Sequence, residues 1–87
     1  MTFPLSIYAL DREVFWGEAE ALTLPTQEGE IQILANHTPL VALLKEGDMK
    51  IEGENSFHQT LPIAGGVVEV TPQAVVVLVV FLLMESH

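Results

Sequence analysis

The chain has 87 residues, 49% of them hydrophobic, with twelve acidic side chains against three basic ones and no cysteine. A chain of this length supports one modest core, and without cysteine neither a disulfide nor a thiolate zinc site can reinforce it. The net charge of −9 opposes nucleic-acid phosphates and anionic membrane surfaces, so no nucleic-acid partner is expected, while the hydrophobic content is too high for a disordered acidic segment.

The N-terminal segment MTFPLSIYALDR lacks the basic start, apolar stretch and small-residue cleavage site of a secretory signal, which predicts an intracellular address. The first β-rich run is Leu5 to Leu10, closed by a turn at Asp11-Arg12-Glu13. A second runs from Glu18 to Leu24 and ends at Pro25, before the acidic turn Gln27-Glu28-Gly29-Glu30, where proline and glycine punctuate the pattern. Phe15 and Trp16, aromatic residues beside a glycine ahead of a strand, are expected to cap the core. Ile31 to Leu34 forms a short third strand, and Leu40 to Leu44 a fourth after the loop Ala35-Asn36-His37-Thr38-Pro39.

Met49-Lys50-Ile51-Glu52 alternates apolar with charged residues, as a strand does with one face on a core and the other in water. A hairpin turn at Gly53-Glu54-Asn55-Ser56 leads into a strand with Phe57, Leu61 and Ile63 on one face and His58 and Thr60 on the other. Gly65-Gly66 precedes Val67 to Val70, and Thr71-Pro72-Gln73 turns the chain into the last and longest run, Ala74 to Leu83. That run does not alternate, so it is expected to be buried on both faces, between two sheets or against another protein. The apolar stretch Ala74 to Met84 falls short of the roughly 20 residues that a membrane-crossing helix needs, and no direct membrane insertion is expected. The predicted class is all-β: a two-sheet β-sandwich, or flattened barrel, of about eight to ten short strands forming one domain over residues 1–87.

Four blocks carry a family likeness: Glu28-Gly29-Glu30, Asn36-His37-Thr38-Pro39-Leu40, Lys45-Glu46-Gly47 and Gly65-Gly66-Val67-Val68-Glu69-Val70, preceded by Phe15-Trp16-Gly17. In order and spacing they resemble the N-terminal β-sandwich domain of the epsilon subunit of F-type ATP synthases, called delta in mitochondria. The likeness spans about Leu5 to Leu78 and implies a ten-stranded sandwich. The family continues into a helical hairpin that this sequence lacks, and its last strand turns polar where Val79 to Met84 here stays apolar. A naturally short C-terminus is therefore the expectation.

The resemblance implies a non-catalytic central-stalk subunit that links the gamma subunit to the c-subunit ring, so that ion transport and ATP synthesis stay coupled. It implies a peripheral position on the cytoplasmic side of the energy-transducing membrane. It places c-ring contacts at Glu28, Gly29, Glu30 and Asn36, with Glu30 foremost, and gamma contacts at His37, Thr38, Leu40 and Ala42. No catalytic residue, cofactor or metal is implied, and ATP binding is not expected because the helical hairpin that carries it in some members is missing.

Each of these residues has a plainer reading. Glu28 and Glu30 also suit a solvated turn; His37 reads as a loop histidine bonding backbone, with no cysteine or paired histidine at metal spacing; His58 reads as a solvated cross-strand neighbour. Gly65-Gly66 opens neither phosphate-loop motif and reads as the start of a strand or a bulge. Two rival functions follow from the residues alone: a free-standing β-sandwich interaction module, and a small β-barrel enzyme built on His37, His58 and nearby glutamates. The second lacks a nucleophile motif, a metal set and a glycine-rich loop.

Overall fold

A computed structural model describes residues 1–81. Among them are nine strands: β1 (Phe3–Tyr8), β2 (Glu13–Ala19), β3 (Ala21–Thr26), β4 (Gly29–Leu34), β5 (Leu40–Leu44), β6 (Gly47–Glu52), β7 (His58–Ile63), β8 (Gly65–Val70) and β9 (Val75–Val80). They form one hydrogen-bonded sheet in the order β2-β1-β9-β8-β5-β3-β6-β7, with β4 added on β3. All neighbours are antiparallel except β1 and β9, which run parallel from Leu5↔Val75 to Tyr8↔Leu78.

The sheet curls into two facing halves, β2-β1-β9-β8-β5 and β4-β3-β6-β7, joined through the pair Thr26↔Leu44. One core contains Leu5, Ile7, Val68 and Val77 from the first half together with Leu22, Ile33, Met49 and Ile51 from the second. The chain crosses between halves four times, once through the five-residue loop Ala35 to Pro39 between β4 and β5 and three times at corners only one or two residues long: Glu20 between β2 and β3, Lys45-Glu46 between β5 and β6, and Ala64 between β7 and β8. Such corners are how a strand leaves one layer and continues in the other. On the open side, Phe15 of β2 meets Phe57 of the β6–β7 turn with ring centroids 6.1 Å apart, tying the two halves together by an aromatic contact.

Several expectations change. The run Glu18 to Leu24 is two strands divided at Glu20, and Glu13 belongs to β2 rather than to the preceding turn. Pro25 does not end its strand; it is buried within β3 and paired with Glu30. Thr23 and Leu24 already sit in register with β4, and that ladder carries β3 on to Thr26. Trp16 does not cap the core: it is 72% exposed, because alternation along β2 turns Phe15 inward and Trp16 outward. Most consequential, β9 is buried on one face only. Val75, Val77 and Val79 enter the core, whereas Leu78 and Val80 stand 51% and 59% exposed. The end of the predicted run, Leu82 and Leu83, lies outside the described residues.

Other expectations hold. β5 has the predicted bounds, Met49 and Ile51 are buried while Lys50 is exposed, and Gly65-Gly66 opens β8. The reason for the second glycine is a close approach. Gly66 has φ +145°, and a Cβ placed there would lie 2.1 Å from the carbonyl oxygen of Leu78 on β9, a position that only glycine fits. Asn55 and Ser56, in the β6–β7 turn, hold φ of 60° and 63°, left-handed values that asparagine tolerates better than serine.

Two stability outcomes follow. Gly66→Ala should lower unfolding stability by more than about 2 kcal/mol, through backbone displacement and strain, seen as a lower urea midpoint. Ser56→Gly should raise the midpoint slightly, by about 0.5 kcal/mol, as relief of the left-handed strain outweighs the added chain entropy of glycine.

Candidate protein-docking surfaces

The acidic turn is a two-residue hairpin connection, Gln27-Glu28, between the paired residues Thr26 and Gly29. Thr26 is buried, and its hydroxyl holds the turn from inside: Oγ1 donates to the Gly29 carbonyl and accepts from the Glu28 N–H at 3.2 Å. Gly29 takes φ +119° with open space where a Cβ would be, so it turns the chain between two outward carboxylates. The turn also rests on β5, through Gln27 N–H to the Leu43 carbonyl at 3.0 Å, and Glu28 lines one groove with Val41 and Leu43.

Asn36 and His37 are not beside this turn. They stand at the other end of β4, and the six residues of that strand hold the two groups roughly 17 Å apart at about 3.3 Å per residue. Asn36 has φ 68°, a left-handed conformation that reverses the chain after β4. His37 Nδ1 lies 2.8 Å from the Thr38 carbonyl. A carbonyl can only accept, so Nδ1 is the donor, as the loop-histidine reading requires. The loop faces Phe3, Pro4 and the β8–β9 turn. Between the two predicted clusters, β4 turns Glu30, Gln32 and Leu34 to solvent, and these make a continuous stripe from Glu28 to Asn36.

That stripe belongs to an outer face that is largely polar. Gln32 pairs with Thr23, Thr23 with Lys50, and Lys50 with Thr60. His58 stands opposite Glu52 at the rim of this face, exposed as expected. Among the described residues, no group of three or more His, Cys, Asp or Glu side chains gathers as a metal-ligand set.

The outer face of the other half is its chemical opposite. Cross-strand register aligns Leu43, Val67 and Leu78 in one row and Val41, Glu69 and Val76 in the next. Val41 is 69% and Leu43 64% exposed. Alternation sends Leu40 and Ala42, the predicted contacts, inward against the core and brings their neighbours Val41 and Leu43 to the surface. Trp16 joins this face through Ser6, which pairs with both Trp16 and Val76. The periodicity of β5 was the available signal for Val41 and Leu43. Nothing in the uniformly apolar β9 marked Leu78 and Val80 as outward.

A contiguous exposed apolar sheet face on a small single-core domain is a candidate protein-docking surface, and fold and faces together define an all-β domain with two chemically distinct outer faces. The chain belongs to the ATP synthase delta/epsilon chain β-sandwich domain family, whose model matches residues 2–82. It is similar to a chain in a cryo-EM structure of Euglena gracilis mitochondrial ATP synthase (OSCP/F1/c-ring), at 27% identity and TM-score 0.85, covering 91% of this chain and 51% of that one. A chain in the central stalk/c-ring structure of the Tetrahymena thermophila mitochondrial ATP synthase shares the fold at 16% identity and TM-score 0.77, with coverage of 92% and 64%. The chain thus spans between half and two thirds of the length of these solved relatives.

The lock on the acidic turn can be checked by Thr26→Val. The substitution keeps the shape and removes both hydrogen bonds, leaving the turn's amide and carbonyl short of a partner. Stability should fall by about 1–3 kcal/mol in chemical denaturation.

Proposed function

We propose that this domain is a non-catalytic part of an ATP synthase central stalk, seated between the gamma subunit and the c ring so that rotation passes from one to the other. One observation carries the reading: a single stiff body of this family presents two outer faces of opposite chemistry. Because the two halves face each other across one core, their outer faces point apart, adjoining along the edge where the acidic turn meets Val41 and Leu43, and one body can hold two partners at once.

The apolar face, with Val41, Leu43, Leu78 and Val80, is the gamma-docking side. Leu40 and Ala42 support it from beneath, and His37 and Thr38 lead into it at the start of β5. The stripe of Glu28, Gly29, Glu30 and Asn36, filled in by Gln32 and Leu34, is the ring-facing side. There, carboxylates and amides suit polar contacts with loops that remain hydrated. Backbone hydrogen bonds along the whole sheet cross-link the two faces, which limits how far one turns relative to the other. In this role the domain sits peripherally at the energy-transducing membrane, on the side of the catalytic subunits, and makes or breaks no bond itself.

The test is co-purification of the full chain with the gamma subunit of the same enzyme, then ATP-driven ion pumping by the assembled complex. Wild type should bind stoichiometrically and restore pumping. Leu78→Asp should abolish gamma binding, since it places a carboxylate in the apolar contact. Glu30→Lys should leave gamma binding intact and reduce pumping relative to ATP hydrolysis. A wild-type chain that does not bind gamma would overturn the rotor reading.

A further inference from the structure

The outward positions of the three adjoining strands β5, β8 and β9 are Val41, Leu43, Gly65, Val67, Glu69, Val76, Leu78 and Val80 by register. Seven are apolar and one is charged. Glu69 is exposed and flanked on its two sides by Val41 of β5 and Val76 of β9; it is the last outward residue of β8 before the turn at Thr71, so its carboxylate stands between apolar side chains at the turn end of the face.

Among the described residues, none offers this carboxylate a counter-charge. The chain has three basic side chains, Arg12, Lys45 and Lys50. Among the described residues the only ion pair is Arg12 with Asp11, at 3.1 Å. Lys50 is on the polar face of the opposite half, in register with Thr23 and Thr60. Lys45 follows Leu44, whose partner Gly66 is three positions along β8 from Glu69, roughly 10 Å away. In the free domain water satisfies Glu69. Once an apolar partner covers the face, that water is displaced, and a buried carboxylate without a cation is strongly unfavourable.

We propose that Glu69 selects the partner: the surface that docks on this face carries a lysine or arginine directly opposite Glu69, ringed by apolar side chains. The proposal rests on the reading of the face as the gamma-docking side and adds the chemistry that the gamma surface must have there. The overall charge of −9 points the same way, because it draws basic surfaces and repels a second copy of this chain. An arginine suits the position best, since its planar fork can meet both carboxylate oxygens. The single charge also fixes register. An apolar face alone would tolerate sliding along the strands, whereas a paired charge inside it has one favourable position.

The experiment is calorimetric titration of the full chain into the purified gamma subunit, comparing wild type with Glu69→Gln, Glu69→Val, Glu69→Lys and Leu78→Asp. Circular dichroism melts would establish that each variant is folded; Glu69 is outside the core, so its variants should melt near wild type. Glu69→Gln and Glu69→Val should each weaken binding by at least about 10-fold, because the partner's cation is left covered and unpaired, and Glu69→Lys by at least about 100-fold. Reversal of one lysine or arginine on gamma to glutamate should restore the affinity of Glu69→Lys. If Glu69→Gln and Glu69→Val bind as tightly as wild type while Leu78→Asp does not bind, the docking face stands and the selecting role of Glu69 is refuted. If Leu78→Asp also binds as wild type, the docking face is itself misplaced and the proposal falls with it.

Discussion

A nine-stranded sheet has two faces, and a chain of 87 residues has material for one core. The sheet must therefore fold over so that the same face of every strand points inward. The loop Ala35 to Pro39 and three short corners at Glu20, Lys45-Glu46 and Ala64 accomplish this, the corners passing the chain from one half to the other with almost no loop. Gly66 serves the same end locally. It lets β8 approach the Leu78 carbonyl of β9 more closely than any residue with a Cβ allows, immediately after the corner at Ala64.

Closure of the core also decides the surface. Because side chains alternate along a strand, assigning Val75, Val77 and Val79 to the core commits Val76, Leu78 and Val80 to the outside. A strand with valine or leucine at nearly every position then produces a greasy outer face, and β5 extends it with Val41 and Leu43. The same alternation applied to β6 and β7, where polar residues occupy most outward positions, produces a hydrated face. The two outer faces differ because the outward halves of these strands differ in sequence. That they point apart comes from the curl of the sheet.

Strand content was readable residue by residue where pattern or punctuation was strong. Met49-Lys50-Ile51-Glu52 alternated as a half-buried strand should, and Leu40 to Leu44 had clear turn signals on both sides. The division of Glu18 to Leu24 at Glu20 was not readable, since the chain bends there over a single residue without a glycine or proline to mark it. Trp16 misled because a tryptophan's size argues for burial, whereas its place in the alternation of β2 put it outside. Of the site residues, Glu28 to Glu30 and Asn36 to His37 were legible as turns, but their separation by the length of β4 depended on that strand running straight between them. Leu40 and Ala42 came from the family resemblance, and the inward face of β5 holds them.

Alternation, turn residues and motif spacing are local properties of a chain, and they suffice here to establish the all-β class, one core without cysteine, and the family that the residues resemble. Strand order and register join segments far apart in sequence, and these settle which face of the uniformly apolar β9 is inside. They also gather Val41, Leu43, Leu78 and Val80 on one surface and stand Glu69 among them. A run of identical valines carries no information about register, and it acquires an inside and an outside only when β1 and β8 pair with it.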